Sequence, residues 1–419
     1  MSEYDVLSEQ FFADPYPTLA AMRRDDPCWY DPRLDAYVVT RYNDVSRVLQ
    51  DERFSSKRVR QFVRGAPDHL EDKINVYVTE LERWLLFCDP PIHSALRAHL
   101  TRSFGPNFLP LIAESATAAV ADALARLKDM EQVDAIADFA YPVPTQVLAR
   151  LLGIERADIE RFKQWTTDIF TLIGSGIANG ESVSIGYRGV VELRAYVLEL
   201  LREKRARPQD DVLSALSRIE PNAAGPQITD EDIVAMFMTM IVAGHETSTN
   251  LIGNSLYGIL TSPGCRAWVA AHDGITEAAV DELIRFDGPV FSLIRRAKCD
   301  VAVGGTLVKE GSFVFSMLNA GNRDPRKFSD PDRLDFDRLL PPHLGLGAGM
   351  HRCVGASMAR IVVREAVNGF MRSFPSAGVA DGCVWQRNMS IRGLAAFPVR
   401  LRQDENAGAS GQPQLLATK

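Results

Sequence analysis

His343-Leu-Gly-Leu-Gly347-Ala-Gly349-Met-His351-Arg-Cys353-Val-Gly355 decides how the rest of the chain is read. A glycine-rich loop here delivers one cysteine to the start of a helix predicted over Val354–Phe374. Backbone amides and the dipole at a helix N-terminus stabilise a thiolate, and glycines let backbone approach a flat molecule closely. The stretch alone fits three descriptions: a thiolate ligand to a haem iron, a zinc site built from His343, His351 and Cys353, or a turn with a buried thiol. Structural zinc normally takes four ligands in paired spacings, which this stretch lacks.

Towards the N-terminus, Ala243-Gly244-His245-Glu246-Thr247-Ser248-Thr249 sits in a long apolar helix predicted from Thr229 towards Leu260. An acid and hydroxyls in a buried helix are costly without a purpose. Thr247 can bond back to the Ala243 carbonyl and Gly244 adds little helix propensity, so a local opening with room for a small ligand is expected. A kinked core helix fits the same residues. Glu282-Leu-Ile-Arg285 puts opposite charges on one helix face, a spacing equally common on surfaces. His93 and Arg97 lie four apart on a helix opened by Asp89-Pro90-Pro91, with Asp89 expected as its N-cap. Two cationic donors facing one way suit a pair of carboxylates, or simply a solvated face.

Elsewhere, Asp14-Pro15-Tyr16-Pro17 predicts a turn into a short helix, Tyr37–Thr40 a strand and Asn43–Leu49 a helix. From Asp89 to about Arg207 apolar residues recur at helical spacing. Thr171–Gly189 holds five glycines and reads as a mobile loop that closes over bound substrate, while Glu220–Gln227 reads as a polar linker. Thr229 with Asp232 resembles a capping box heading the long helix. A further helix is expected over Thr276–Phe286 and β-type segments from Ala302 to Phe315. No repeat or long linker divides the chain. The expectation is one large helix-rich domain with small β-sheets over residues 1–402 and a disordered polar tail over 403–419.

Of 419 residues, 46% are hydrophobic and 24% charged, enough apolar mass to bury a large cofactor. The net charge of −7 argues against a nucleic-acid partner. Met1–Asp14 lacks a basic-then-apolar pattern, and the apolar run Ile233–Val242 is far shorter than the ~20 residues of a membrane span. A cytoplasmic protein with no membrane anchor is expected. The six cysteines form no CxxC pair, so a plain thiol is the default for each.

Taken together and in this order, these segments resemble the cytochrome P450 superfamily in its soluble bacterial branch, from Asp14 to Leu394. The resemblance implies the P450 fold around a buried haem b (iron protoporphyrin IX), with Cys353 as axial ligand. By matching position, His93, Arg97, Arg295 and His351 look like partners of the haem propionates, which need cationic donors once buried. The resemblance also implies that Ala243, Gly244, Gly347 and Gly355 border the cofactor. Glu282 and Arg285 resemble the structural pair beneath it, with Arg333 as a candidate third member. One position departs from the pattern: Leu346 stands where the family usually has an aromatic residue.

The implied activity is monooxygenation, one oxygen atom of dioxygen entering a hydrophobic small molecule by hydroxylation or epoxidation, in secondary metabolism. Glu246 and Thr247 are the implied proton-relay pair. Electrons would come from NAD(P)H through a ferredoxin reductase and a ferredoxin, docking on a basic patch of Arg102, Arg326, Lys327, Arg352 and Arg360. A haem sensor or carrier without turnover is the rival activity. Met236, Thr239, Met240, Ala243, Val290, Phe291, Leu293 and Ile391 are the candidate pocket residues; their mostly apolar, methionine-bearing character suits a medium or large hydrophobic substrate.

Overall fold

The computed structural model describes residues 4–173, 178–218 and 227–402. They are mainly helical with small sheets, as expected. They gather into two compact units, neither continuous in sequence: Met1–Arg53, Ile112–Pro144 and Glu246–Lys419 form the first, Phe54–Leu111 and Thr145–His245 the second. The chain passes between them repeatedly, which is why no linker marks a boundary in the sequence.

In the first unit, strands Cys28–Asp31, Ala36–Val39, Phe313–Met317 and Ser292–Ala297 lie side by side in that order. The outer pairings are antiparallel and the middle one, Ala36–Val39 on Phe313–Ser316, is parallel. One face of this sheet is apolar: Val38, Ile294, Phe315 and Met317 pack with Phe11, Leu19, Met22 and Phe291 in one buried cluster. Alternation along each strand puts these side chains on a common side, and burying them is the main stabilising term. The Ala356–Ser373 helix buries Val362, Val363, Ala366, Val367 and Phe370 along one stripe, with Phe370 against Phe139.

The second unit is helical. Tyr77, on the Glu71–Leu81 helix, donates to the Ile169 carbonyl at 3.1 Å. Arg194 holds Glu80 at 3.3 Å and Glu231 at 2.5 Å. The expected loop over Thr171–Gly189 is much shorter than the sequence suggests. A helix starts at Gly180, capped reciprocally by Asn179 and Ser182 at 2.8 and 2.9 Å. Gly186 and Gly189 therefore lie inside a helix. A Cβ on Gly189 would come within 2.9 Å of the Trp165 carbonyl, so this glycine serves close helix packing and not mobility. Residues 174–177 of the proposed lid, most of the expected 220–227 linker and the 403–419 tail lie outside the described residues.

The central helix spans Asp230–Thr261. Its head is the predicted capping box: Thr229 N–H donates to Asp232 at 2.9 Å, and Asp232 N–H returns to Thr229 Oγ1 at 3.3 Å. Residues Ala243–Thr249, where the sequence suggests an opening, are assigned as helix throughout. By length and composition alone, residues 92–127 could cross a membrane. They form two separate helices, Ile92–Ser103 and Leu109–Leu127.

Candidate active site

The cysteine loop is shaped by two glycines in the left-handed region, Gly347 at φ 73° and Gly349 at φ 68°, where a side chain would strain the backbone. A Cβ on Gly349 would also stand 3.1 Å from the Leu49 carbonyl, so the loop lies directly on the Tyr42–Gln50 helix. Cys353 N–H donates to the Leu346 carbonyl at 2.9 Å, and Leu344 N–H donates to Asn322 Oδ1 at 2.7 Å. These bonds hold Cys353 three residues ahead of the Ala356–Ser373 helix. Leu346 thus serves the turn through its backbone, which any side chain supplies.

Cys353 is exposed, whereas Cys28, Cys88, Cys265 and Cys383 are buried. Burial pushes the Cys28 thiol up to about 12 and those of Cys88, Cys265 and Cys383 to about 11, which keeps them protonated. His343 is turned to Asp281 at 3.4 Å and accepts from Gly345 N–H at 3.2 Å, so it serves the loop's structure. Among the described residues no group of three or more His, Cys, Asp or Glu is gathered for a metal, and the zinc reading has no geometric support.

Behind the loop, Glu282 and Arg285 are a buried pair and not a surface one. All five guanidinium N–H groups of Arg285 are used. Nε and Nη2 reach the two Glu282 oxygens at 2.7 Å each, and the carbonyls of Asn322, Pro331 and Arg333 take the others at 3.0, 2.7 and 3.1 Å. The expected third member is corrected. Arg333 contributes only its carbonyl and its side chain is exposed, while Arg338 supplies the second cation at 3.1 Å from Glu282 Oε1. The sequence held no signal separating two arginines five residues apart.

On the central helix, burial pushes the Glu246 carboxyl from 4.5 up to about 7 and the His245 ring from 6.5 down to about 4. Glu246 is therefore an acid able to hold or release a proton near neutrality, one residue before Thr247. Gly244 is explained by packing: a Cβ there would lie 3.2 Å from Leu148 Cδ2.

Arg295 is buried on the Ser292–Ala297 strand and donates to the Ile294 carbonyl at 3.0 Å. His351 ends a short turn, Gly349–His351, two residues before the thiol. In the second unit, His93 is buried and Arg97 partly buried, one turn apart on the Ile92–Ser103 helix. The expected Asp89 cap is not formed. Its carboxylate instead accepts from Ser55 Oγ at 2.5 Å and Ser56 N–H at 2.8 Å, and Pro91 takes the cap position.

Among the candidate pocket residues, Val290 and Leu293 are partly buried and Ile391 is buried, with Val290 bridged to Ile391. Leu293 reaches the cysteine loop, 4.0 Å from where a Gly347 Cβ would stand. Phe291 is packed against Phe11 in the core cluster, ring centroids 6.0 Å apart. In the second unit, Met236 and Thr239 are buried, and Met240 and Ala243 partly buried. Thr239 returns its hydroxyl to the Ala235 carbonyl at 2.7 Å, so its polar atom is satisfied within the helix.

Within the first unit this donor set fits a haem: an exposed thiol on a glycine loop, with the buried Arg295 and the partly buried His351 suited to carboxylates.

Comparison with known proteins gives the same answer. The family model described as Cytochrome P450 matches residues 274–385. The cytochrome P450 monooxygenase PikC of Streptomyces venezuelae is 32% identical over 413 residues, covering 96% of this chain and 95% of that one. The 6-deoxyerythronolide B hydroxylase of Saccharopolyspora erythraea is 30% identical over 408 residues, covering 95% and 98%. Among solved structures, P450BioI in complex with an acyl carrier protein ligated to hexadec-9Z-enoic acid is similar at a TM-score of 0.84 and 27% identity, covering 94% and 99%. The chain therefore belongs to the cytochrome P450 family and is a haem-dependent monooxygenase.

Proposed function

We propose that this monooxygenase hydroxylates or epoxidises a medium or large hydrophobic molecule of secondary metabolism in the cytoplasm, with Cys353 as its axial thiolate. The observation that carries the reading is the one exposed cysteine, set on a glycine loop ahead of a helix. The haem, when bound, activates dioxygen with electrons from outside the chain, helped by the electron density its thiolate donates. Arg295 and His351 are the propionate partners offered by the first unit, and His93 and Arg97 those offered by the second. Their charge offsets the desolvation of the carboxylates and fixes the ring's orientation. Glu246 and Thr247 hold and pass protons without admitting bulk water, which suits a site that must stay dry.

The apolar, methionine-bearing wall supports a hydrophobic substrate. It agrees with the hydroxylase of 6-deoxyerythronolide B and with the fatty-acyl group on the carrier protein of P450BioI. Screening polyketide, terpenoid and fatty-acyl compounds for the spectral shift that follows displacement of water from ferric iron tests the substrate class. Absence of any shift across the panel would contradict it.

For electron supply the proposed donors are a ferredoxin and its reductase. Arg352 is exposed, but Arg360 is held by Asp281 at 2.8 Å and Arg326 by Asp324 at 3.6 Å. The docking charge is therefore smaller than the sequence suggests. Ferredoxin affinity should weaken with added salt; an affinity independent of salt would contradict electrostatic docking.

A further inference from the structure

The second half of the central helix carries a buried amide that ties two distant segments together. Asn254 is 4% exposed, on a helix whose neighbouring turns bury Leu251, Leu256 and Ile259. Its Nδ2 donates to the Asp287 carbonyl at 3.0 Å and to the Arg392 carbonyl at 3.1 Å. The first carbonyl ends the Glu277–Asp287 helix and leads into Val290–Leu293; the second follows directly on Ile391.

Those two segments are fastened to each other along their length. Arg392 N–H donates to the Pro289 carbonyl at 2.8 Å and Phe291 N–H to the Ser390 carbonyl at 2.9 Å. Ser292 Oγ donates to the Met389 carbonyl at 2.6 Å. Arg392 Nε meets Asp287 Oδ1 at 2.8 Å, and the Tyr16 hydroxyl donates to the same carboxylate. The two segments are therefore paired backbone to backbone, and Asn254 adds a support that reaches both of them from the central helix. One turn before Asn254, a Cβ on Gly393 would stand 2.2 Å from Asn250 Oδ1, so the backbone lies on the helix as closely as glycine permits.

Leucine in this position would leave the Asp287 and Arg392 carbonyls without the donor that Asn254 supplies. Asn254 Oδ1 is buried without a hydrogen-bond partner, a penalty that an apolar residue of similar shape would avoid. What leucine could not supply is two donors aimed at two carbonyls.

We propose that Asn254 is a positioning residue: it sets the height of the fastened segments 289–293 and 389–392 above the central helix, and through them the place of the substrate. Asn254 follows Thr247 by two helical turns, so one rigid helix carries the proton-relay pair and the anchor of the substrate wall at a separation of ~10 Å. The inference rests on the reading that Val290, Leu293 and Ile391 border the substrate. Asn254 then determines specificity without touching it.

The test uses the haem-loaded Asn254→Leu protein, with Ile259→Val as a control that loosens the same helix away from the anchor. Hydrogen exchange at the Phe291 and Arg392 amides should quicken by about tenfold in Asn254→Leu and stay near wild type in Ile259→Val. Two probes of the pocket read the consequence. Imidazole, which senses the iron, should bind within about twofold of wild type, and 4-phenylimidazole, which also senses the wall, should change by about fivefold or more. Unchanged exchange at both amides, or equal quickening in the control, overturns the anchor. Quickened exchange with unchanged 4-phenylimidazole affinity overturns the positioning role. A wild-type protein that binds neither probe at an iron overturns the haem reading itself, and the exchange comparison still decides the anchor.

Discussion

Arg338 places its Nε 3.1 Å from Glu282 Oε1, on the same carboxylate that Arg285 holds with two bonds of 2.7 Å. Glu282 Oε1 also accepts from Asp335 N–H at 3.0 Å, so this acid organises the chain from residue 329 to 338 as well as its own helix. A cluster so buried and so fully bonded is expected to act on folding.

Replacing Arg338 with alanine should destabilise the protein by about 2–3 kcal/mol, because Arg285 still compensates the buried charge. Removing Arg285 should cost about 3–5 kcal/mol. Arg333→Ala keeps the carbonyl that Arg285 uses and should stay within about 0.5 kcal/mol of wild type. Urea unfolding of the three variants checks the order. A larger loss for Arg333→Ala than for Arg338→Ala would contradict the assignment.

Glu246 makes stability depend on pH. Its carboxyl is raised from 4.5 to about 7 in the folded protein, so between those values the native state binds more protons than the unfolded state. The contribution is present in full below about 4.5 and is lost as pH rises through about 7. Glu246→Gln should remove this slope, and the stability difference between variant and wild type should therefore change across that window. Unfolding midpoints measured from pH 4.5 to 8 should diverge in this sense; parallel curves would show that burial does not shift this carboxyl.

Thr247→Ala should bind haem and substrate normally and still consume electrons. If Thr247 delivers the proton as proposed, more of the reducing equivalents should end as peroxide or water. The ratio of oxygenated product to NAD(P)H consumed is the readout. An unchanged ratio would mean that the proton reaches the oxygen through substrate or solvent.

The parts legible in the sequence are those where local chemistry leaves few choices. The glycines before Cys353 hold backbone angles that side chains resist, and Thr229 with Asp232 caps a helix wherever it occurs. The misreadings are tertiary. Asp89 was free to cap its own helix, but Ser55 and Ser56 compete for its carboxylate. Gly186 and Gly189 look like loop glycines until the side chains packed beside them are known. Arg338 and Asn254 carry no motif, since their partners lie 56 and 138 residues away.

Cys353 as the thiolate is the central claim, and the carbon monoxide complex of the reduced protein tests it most directly. Wild-type protein should show the red-shifted Soret band of a thiolate-ligated haem, and Cys353→His should retain haem yet lose that band. A Cys353→His protein that keeps the red-shifted band would place the ligand elsewhere and contradict the account.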